Sequence, residues 1–225
     1  MVETIETIKT DSVKGDASCN TINIPELHKL IFTKVRSVKT PKRAHPTDAG
    51  MDFYCPEFSY KFILDLIEKN LDAKFDVVYK NTIINYKNYK LPNIIELFNN
   101  EDTSEHEPGQ IVLYPGERIV IPSGIKIKNM VYGSALIAFN KSGVATKDGL
   151  TKMAEVVDEN YLGEIHISVL NTSNLMTVGI IENLKIIQFI HVPVIYSDLH
   201  EVDNNEFNKY ESDRNDGAFG STGLK

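Results

Sequence analysis

Two loop segments in the chain could bind a metal ion or a phosphate group. Asp52 ends the run DAGMD at residues 48–52, and a carboxylate beside a glycine in a loop can hold a hydrated magnesium ion. Lys141, Ser142 and Gly143 combine a cation, a hydroxyl and a glycine backbone, which together suit a phosphate. This is not a Walker loop, because the pattern G-x-x-x-x-G-K-[ST] is absent. Taken alone, each segment is more typical of an ordinary turn.

Two further segments place polar residues at the end or in the middle of apolar runs. Asp158 follows two valines and precedes Tyr161, so a strand end would deliver a carboxylate that can polarise a water molecule and a ring that can lie against a sugar. The alternative is a hairpin turn with solvated acids. Gln188 interrupts the apolar run at residues 185–190, and a buried amide needs partners, either backbone groups or a bound ligand.

The end of the chain, DRNDGAFGSTGLK, forms a fifth segment. Arg214 can pair with phosphate through two parallel hydrogen bonds. Phe219 can stack on a base, which contributes roughly 1–3 kcal/mol in single-strand binders. Gly220, Ser221 and Thr222 offer an amide and two hydroxyls that can wrap a triphosphate. The alternative is a polar tail with no ligand.

Composition limits the class of protein to which the chain can belong. The chain has 225 residues, 42% of them hydrophobic, which suits one large or two small globular domains. Its net charge of −7 argues against binding of polymeric nucleic acid, which needs a basic face. No apolar run suits a membrane helix, and the N-terminus resembles no targeting peptide. The two cysteines are expected to be free thiols in a reducing cytoplasm.

Short apolar runs separated by turn residues indicate an antiparallel all-β core. Strands are predicted near residues 30–35, after the DAGMD loop, and repeatedly from Gln110, including Ala135 to Phe139, Glu164 to Asn171 and Leu184 to Val194. The dipeptide Pro-Gly and the tripeptide Pro-Ser-Gly in the run QIVLYPGERIVIPSGIKIKN are expected to be turns.

The domain organisation follows from changes in composition. Residues 1–28 are predicted to be a flexible extension, residues 29–200 the β domain, and residues 201–225 a flexible arm. Residues 57–107 are interpreted as a satellite insertion, peripheral to catalysis. Within it, apolar residues at helical spacing after Ser59, and again from Pro92 to Phe98, predict two helices.

The five segments, in order, resemble the ordered motifs of the trimeric dUTP pyrophosphatase (dUTPase) family. They read DAGMDFY, NKSGVA, VVDENYLGE, KIIQFI and RNDGAFGSTG, and the resemblance covers about residues 30–56 and 109–224. The Asn-Lys-Ser-Gly form and the early insertion resemble phage or viral members, for which the compartment would be the host cytoplasm. The resemblance implies a jelly-roll-like β fold and a homotrimer with three shared sites. It also implies magnesium-dependent hydrolysis of dUTP to dUMP and pyrophosphate, which limits uracil incorporation into DNA and supplies dUMP for dTTP synthesis.

The resemblance also implies a role for each site residue. Asp52 would hold magnesium through water, Asp158 would activate the attacking water, and Tyr161 would stack under deoxyribose and exclude a 2′-hydroxyl. The remaining residues would contact phosphate or close over the nucleotide as a lid: Lys141, Ser142, Gly143 and Gln188 in the first group, and Arg214, Phe219, Gly220, Ser221 and Thr222 in the second.

The sequence departs from the family pattern at four positions. Lys141 and Lys185 stand where arginine is usual, Glu155 where glycine is usual, and Lys152 where an asparagine or aspartate holds uracil. Two alternatives remain. A dCTP deaminase of the same fold would carry a catalytic glutamate where this chain has Ser168. A regulatory trimer without catalysis would use the insertion to bind a protein partner.

Overall fold

The structure is a computed structural model that describes residues 29–80, 82–85 and 108–209. These residues form mostly β-strands, as the sequence predicted. The strands are β1 Ile31–Lys34, β2 Met51–Tyr54, β3 Phe75–Tyr79, β4 Thr82–Ile84, β5 Gln110–Leu113, β6 Arg118–Asn129, β7 Ser134–Asn140, β8 Leu150–Lys152, β9 Val156–Asp158, β10 Glu164–Asn171, β11 Val178–Ile181 and β12 Lys185–Pro193. The helices are α1 Tyr60–Lys69, a π-helical turn Val144–Asp148, and α2 Asn204–Phe207.

The strands form three four-stranded sheets whose pairings are all antiparallel. The orders are β1-β6-β10-β8, β11-β5-β3-β4 and β2-β12-β7-β9. Alternate residues point inward; β10, for example, buries Ile165, Ile167 and Val169 and leaves the residues between them half-buried. One continuous hydrophobic cluster joins the sheets. The prediction of an antiparallel all-β core is therefore confirmed for the described residues.

The prediction of a turn at Pro122-Ser123-Gly124 is wrong, because these residues lie within β6. The register with β10 shifts there: Glu164 pairs with Lys126, whereas His166 pairs with Pro122. Two steps of β10 thus lie opposite four steps of β6; Gly124, with a φ of +76°, lies in this bulge, and proline is tolerated at such irregular positions. The Pro115-Gly116 turn was predicted correctly, since Gly116 has a φ of +71° and the amide of Glu117 donates to the carbonyl of Tyr114.

The helix predicted after Ser59 is confirmed as α1. The hydroxyl of Ser59 accepts a hydrogen bond from the amide of Phe62, so it caps the first turn as the sequence suggested. Phe62, Ile63 and Leu66 are fully buried on one face of α1. Burial of each such side chain contributes about 1.5–3 kcal/mol, so this face holds α1 against the β core.

The described part of residues 57–107, which the sequence analysis interprets as a satellite insertion, contributes to the common core. Side chains from α1 and β3 belong to the same buried cluster as the strands of the β domain, and β3 pairs with β5. Strands β3 and β4 were not predicted at all. The predicted helix from Pro92 to Phe98 lies outside the described residues, as does the extension at residues 1–28.

The two ends of this segment nevertheless meet. The carboxylate of Glu182 accepts hydrogen bonds from the amides of Phe58, at 2.6 Å, and Gly109, at 3.1 Å. A β-carbon at Gly109 would lie 2.2 Å from the Phe58 ring, so only glycine permits this approach. The segment thus enters and leaves the β domain at one point. No helix among the described residues is long and apolar enough to cross a membrane.

Candidate functional site

The centre of the site is the side chain of Asp52, a buried carboxylate between two ammonium groups. Asp52 is 1% exposed and lies on β2, opposite Gln188 of β12. Lys141 Nζ is 2.5 Å from its Oδ1 atom, and Lys185 Nζ is 2.9 Å from its Oδ2 atom. Lys141 and Lys185, where the family usually has arginine, therefore converge on one carboxylate.

These charges keep Asp52 ionised despite its burial. Burial alone would raise the pKa of this carboxyl group, but hydrogen bonds and charge interactions with Lys141 and Lys185 outweigh it, and the pKa is lowered. The interaction is mutual, since Asp52 raises the pKa of Lys185. The carboxylate thus fixes two cations at the edge of the sheet, where they can meet an anionic ligand.

Gln188 completes this end of the sheet through its side-chain amide. Its Nε2 atom donates to the backbone carbonyl of Asn140, at 2.9 Å, so the nitrogen is satisfied by backbone. A β-carbon at Gly50 would lie 2.2 Å from Gln188 Oε1. Glycine at position 50 therefore lets the DAGMD loop pass directly over the amide. Of the two partners expected for Gln188, the structure shows the backbone one.

A basic cleft of about 540 Å³ opens beside Lys141. Ser142 and Gly143 begin the turn at its rim; the Ser142 side chain is exposed, and a β-carbon at Gly143 would meet nothing within 4 Å. Four lysines, Lys39, Lys141, Lys147 and Lys185, line the cleft and outnumber its two acidic residues, Asp148 and Glu182. Four ammonium groups in one cleft of a chain with net charge −7 make a local site for a polyanion such as a triphosphate. Lys39 and Lys147 were missed, because a lone lysine in a loop resembles a solvated surface residue.

Asp158 ends β9, at the other end of the same sheet, and Tyr161 lies in the turn that joins β9 to β10 (residues 158–164, called the Asp158 hairpin below). Asp158 is exposed at the end of β9 and pairs with Ala135, near the start of β7. Tyr161 donates its hydroxyl hydrogen bond to the carbonyl of Glu164, at 2.9 Å, and its ring lies on Gly163, where a β-carbon would be 2.5 Å from ring atoms. Tyr161 remains 42% exposed, as a role beneath a sugar requires.

The protomer thus brings together Asp52, Lys141 and Gln188 but not Asp158. Lys141 follows the last residue of β7, whereas Asp158 lies beside its second residue, Ala135. Six residues of extended chain at about 3.3 Å each separate the two ends by roughly 20 Å. Four of the five sequence segments lie on one sheet, yet they form two separate groups within one protomer.

Comparison with known proteins decides which family this arrangement belongs to. The model of the dUTPase family matches residues 107–223, more than half of the chain. The chain belongs to the dUTPase family. A deoxyuridine 5′-triphosphate nucleotidohydrolase of Shewanella halifaxensis is 35% identical over 119 residues, which are 52% of this chain and 74% of that protein. The corresponding protein of Bdellovibrio bacteriovorus is 37% identical over 117 residues, 51% of this chain and 74% of that protein.

Solved dUTPase structures show that the fold is also shared. The dUTPase of Staphylococcus bacteriophage 80alpha superposes with a TM-score of 0.58 at 19% identity, over 87% of this chain and 99% of that chain. A mutant dUTPase of S. aureus phage phi11, described with a structural Mg(II) ion, superposes with a TM-score of 0.51 at 18% identity, over 78% of this chain and 97% of that chain. The dUTPase fold therefore extends beyond the residues that the family model matches.

Two of the departures from the family pattern form a single ion pair. Lys152 Nζ contacts Glu155 Oε1 across the loop between β8 and β9. The backbone on both sides is held, because the amide of Lys152 donates to Asn140 Oδ1 and the amide of Ala138 donates to the carbonyl of Glu155. The ammonium group that replaces a family asparagine or aspartate is thus neutralised by the carboxylate that replaces a family glycine.

Part of the predicted site lies outside the described residues. This part is the lid, with Arg214, Phe219, Gly220, Ser221 and Thr222. Within the described ranges, no group of three His, Cys, Asp or Glu side chains could hold a metal ion. Asp52 is the predicted magnesium residue, and its buried carboxylate is paired with Lys141 and Lys185. A single carboxylate fits only an ion that takes most of its ligands from water and the substrate, as magnesium does.

Proposed function

We propose that this dUTPase-family chain hydrolyses dUTP to dUMP and pyrophosphate. The observation that carries the proposal is the sheet β2-β12-β7-β9, which holds Asp52 on β2, Gln188 on β12 and Asp158 on β9, with Lys141 directly after β7. The reaction would limit uracil incorporation into DNA and supply dUMP for dTTP synthesis. The reducing cytoplasm stays the expected location, since Cys55 is a free thiol.

The chemistry assigned to each group follows from its charge and position. The cleft lined by Lys141 and Lys185 would bind the triphosphate, and the exposed carboxylate of Asp158 would accept the proton of the attacking water. Tyr161 would lie against deoxyribose and exclude a 2′-hydroxyl. Asp52 would hold magnesium through water, and the ion would supply charge that offsets the triphosphate. Positioning of water and phosphate accounts for most of the expected acceleration.

We infer that the active site is shared between copies of the chain. The phosphate-binding end and the Asp158 end of the sheet are roughly 20 Å apart at about 3.3 Å per residue, too far for one substrate. A cyclic homotrimer with three sites would place the Asp158 hairpin of one copy beside the lysine cleft of another. The arm beyond residue 200, which includes Arg214 and Phe219, would close over the nucleotide.

Steady-state hydrolysis of dUTP, compared with dCTP, dTTP and UTP, tests the reaction. Preference for dUTP with release of pyrophosphate is expected; ammonia release from dCTP would instead favour a deaminase. Asp158→Asn should lower turnover by orders of magnitude and leave nucleotide binding nearly unchanged, because the change removes the base and keeps the shape. Turnover within tenfold of the wild type would reject Asp158 as the base.

A further inference from the structure

We propose that Asp65, on α1, is a positioning residue for the hairpin that carries Asp158 and Tyr161, and that it acts through Arg36 and Glu164. This inference rests on the proposed function, since the hairpin matters only if it serves the reaction. It reverses the sequence-based expectation that residues 57–107 are peripheral to catalysis.

The first link joins α1 to the β domain through a buried guanidinium group. The Arg36 side chain is 8% exposed, and its Nη2 atom donates to Asp65 Oδ2. On its other side, Nε donates to Glu164 Oε1 at 2.7 Å and Nη2 donates to Oε2 at 3.0 Å. This two-bond pairing fixes the plane of the carboxylate, which a lysine could not do. Asp65 and Glu164 therefore hold one guanidinium group between them.

The second link runs from Glu164 into the hairpin. Glu164 is the first residue of β10 and follows Gly163, on which the Tyr161 ring rests. Its Oε1 atom also accepts from the amide of Gly124, at 2.8 Å, while its backbone carbonyl accepts from the Tyr161 hydroxyl. The side chain of Glu164 is thus anchored in the sheet, and its backbone anchors the tyrosine. A shift of Glu164 must move Tyr161.

The electrostatics show that this anchor depends on its charges. Burial alone would lower the pKa of Arg36 and raise that of Glu164, yet hydrogen bonds and charge interactions within the cluster reverse both shifts. Arg36 Nη1 has no hydrogen-bond partner, so the guanidinium group is held only through Nε and Nη2. Among the described residues, loss of Asp65 leaves Glu164 as the one side chain that accepts a hydrogen bond from Arg36. The cluster then has one fixed point fewer, and the hairpin base can move.

The test compares Asp65→Asn with Glu68→Gln in the full-length protein. Both changes remove one negative charge from α1, but Glu68 is exposed, whereas Asp65 is half-buried against Arg36. We expect about a three- to tenfold fall in kcat/KM for dUTP with Asp65→Asn, the range for coupled residues in one network. Discrimination of dUTP against UTP should fall as well, because a displaced Tyr161 no longer closes the space at the 2′ position. Glu68→Gln should leave both values unchanged.

Hydrogen exchange supplies a readout that does not need activity. Amides of residues 158–164 should exchange faster in Asp65→Asn than in Glu68→Gln at the same fraction folded. The double variant Asp65→Asn/Glu164→Gln should lose less than the two single losses combined, since both act through Arg36. Equal exchange and kinetics in Asp65→Asn and the control would overturn the inference, as would lower thermal stability with an unchanged hairpin. If residues 158–164 exchange faster in Asp65→Asn than in Glu68→Gln, but the wild-type protein does not hydrolyse dUTP, the proposed function alone is refuted.

Discussion

Co-expression of two inactive variants tests whether each active site combines two copies of the chain. One variant is Asp158→Asn, which removes the proposed base. The other is Lys141→Ala, which removes a cation that lies 2.5 Å from Asp52 and lines the basic cleft. Within one protomer the two positions are at opposite ends of β7, because Asp158 pairs with Ala135 and Lys141 follows Asn140. Each homotrimer should therefore have three defective sites.

The expected gain follows from counting the sites in a cyclic trimer. If each site takes Asp158 from one copy and Lys141 from the next, every mixed trimer has one junction where both residues are intact. One site in three is intact in each mixed trimer, so mixed trimers freed of homotrimers should show about a third of wild-type activity; in the unfractionated mixture, where about three-quarters of the trimers are mixed, about a quarter should return. If both residues served a site within one chain, no mixture could restore activity.

The measurement is dUTP hydrolysis by trimers that carry two different affinity tags and are purified through both. Each variant expressed alone, with the same tags, gives the baseline from which the gain is counted. A third mixture, of Asp158→Asn with Asp158→Asn/Lys141→Ala, is a control that cannot rebuild a site. Verified mixed trimers with no gain over the baselines would refute the shared-site reasoning.

Three further predictions concern stability and the chain end. The side-chain amide of Asn70 donates to the backbone carbonyl of Val120 and accepts from its backbone amide. Buried groups left without partners cost about 1–3 kcal/mol each, so Asn70→Ala should destabilise the protein by about 2–5 kcal/mol. Chemical unfolding at fixed protomer concentration checks this, with exposed Asn204→Ala as the control, and a loss below about 0.5 kcal/mol, the usual range for surface changes, would contradict it. Truncation after Ser212 should leave a folded trimer with very low dUTP hydrolysis, and normal activity would reject a lid. The pKa values of Asp52 and Glu164 lie below their ordinary values of 3.8 and 4.5, so both carboxylates stabilise the fold above these pH values. This stabilisation is lost as the pH falls through the pKa values of the folded protein. The free energy of unfolding should therefore decline below about pH 4.5, and less steeply in Glu164→Gln.

Features with local causes could be predicted from the sequence. Helix α1 follows from apolar spacing and the Ser59 cap, both of which act within a few residues. Strand β10 was predicted with its observed bounds, Glu164 to Asn171, because every second residue is buried. Asp52, Lys141 and Gln188 were selected by their positions in ordered motifs, and the structure brings all three together.

Features that depend on distant partners could not be predicted. Strand β3 has only five residues, and its pairing with β5 reaches across the segment interpreted as an insertion. The bulge at Gly124 looked like a turn, since proline and glycine mark both structures. Arg36 and Glu164 are 128 positions apart, and neither belongs to a segment with a recognisable spacing relative to the other. Only the folded chain shows that they form one anchor.

Lys152 and Glu155 depart from the family pattern near the expected base-binding position, and their ion pair means that the two substitutions act together. A lysine where the family has an asparagine or aspartate would bring a positive charge to a neutral base, which costs desolvation without a partner. Glu155, three residues further on, contacts that ammonium group, whereas the family glycine would leave it free. The backbone amide of Lys152 donates to Asn140 Oδ1, and this bond does not involve the lysine side chain. Because a backbone can bind uracil through its amide and carbonyl groups alone, the exchange of both residues together is compatible with dUTP as the substrate.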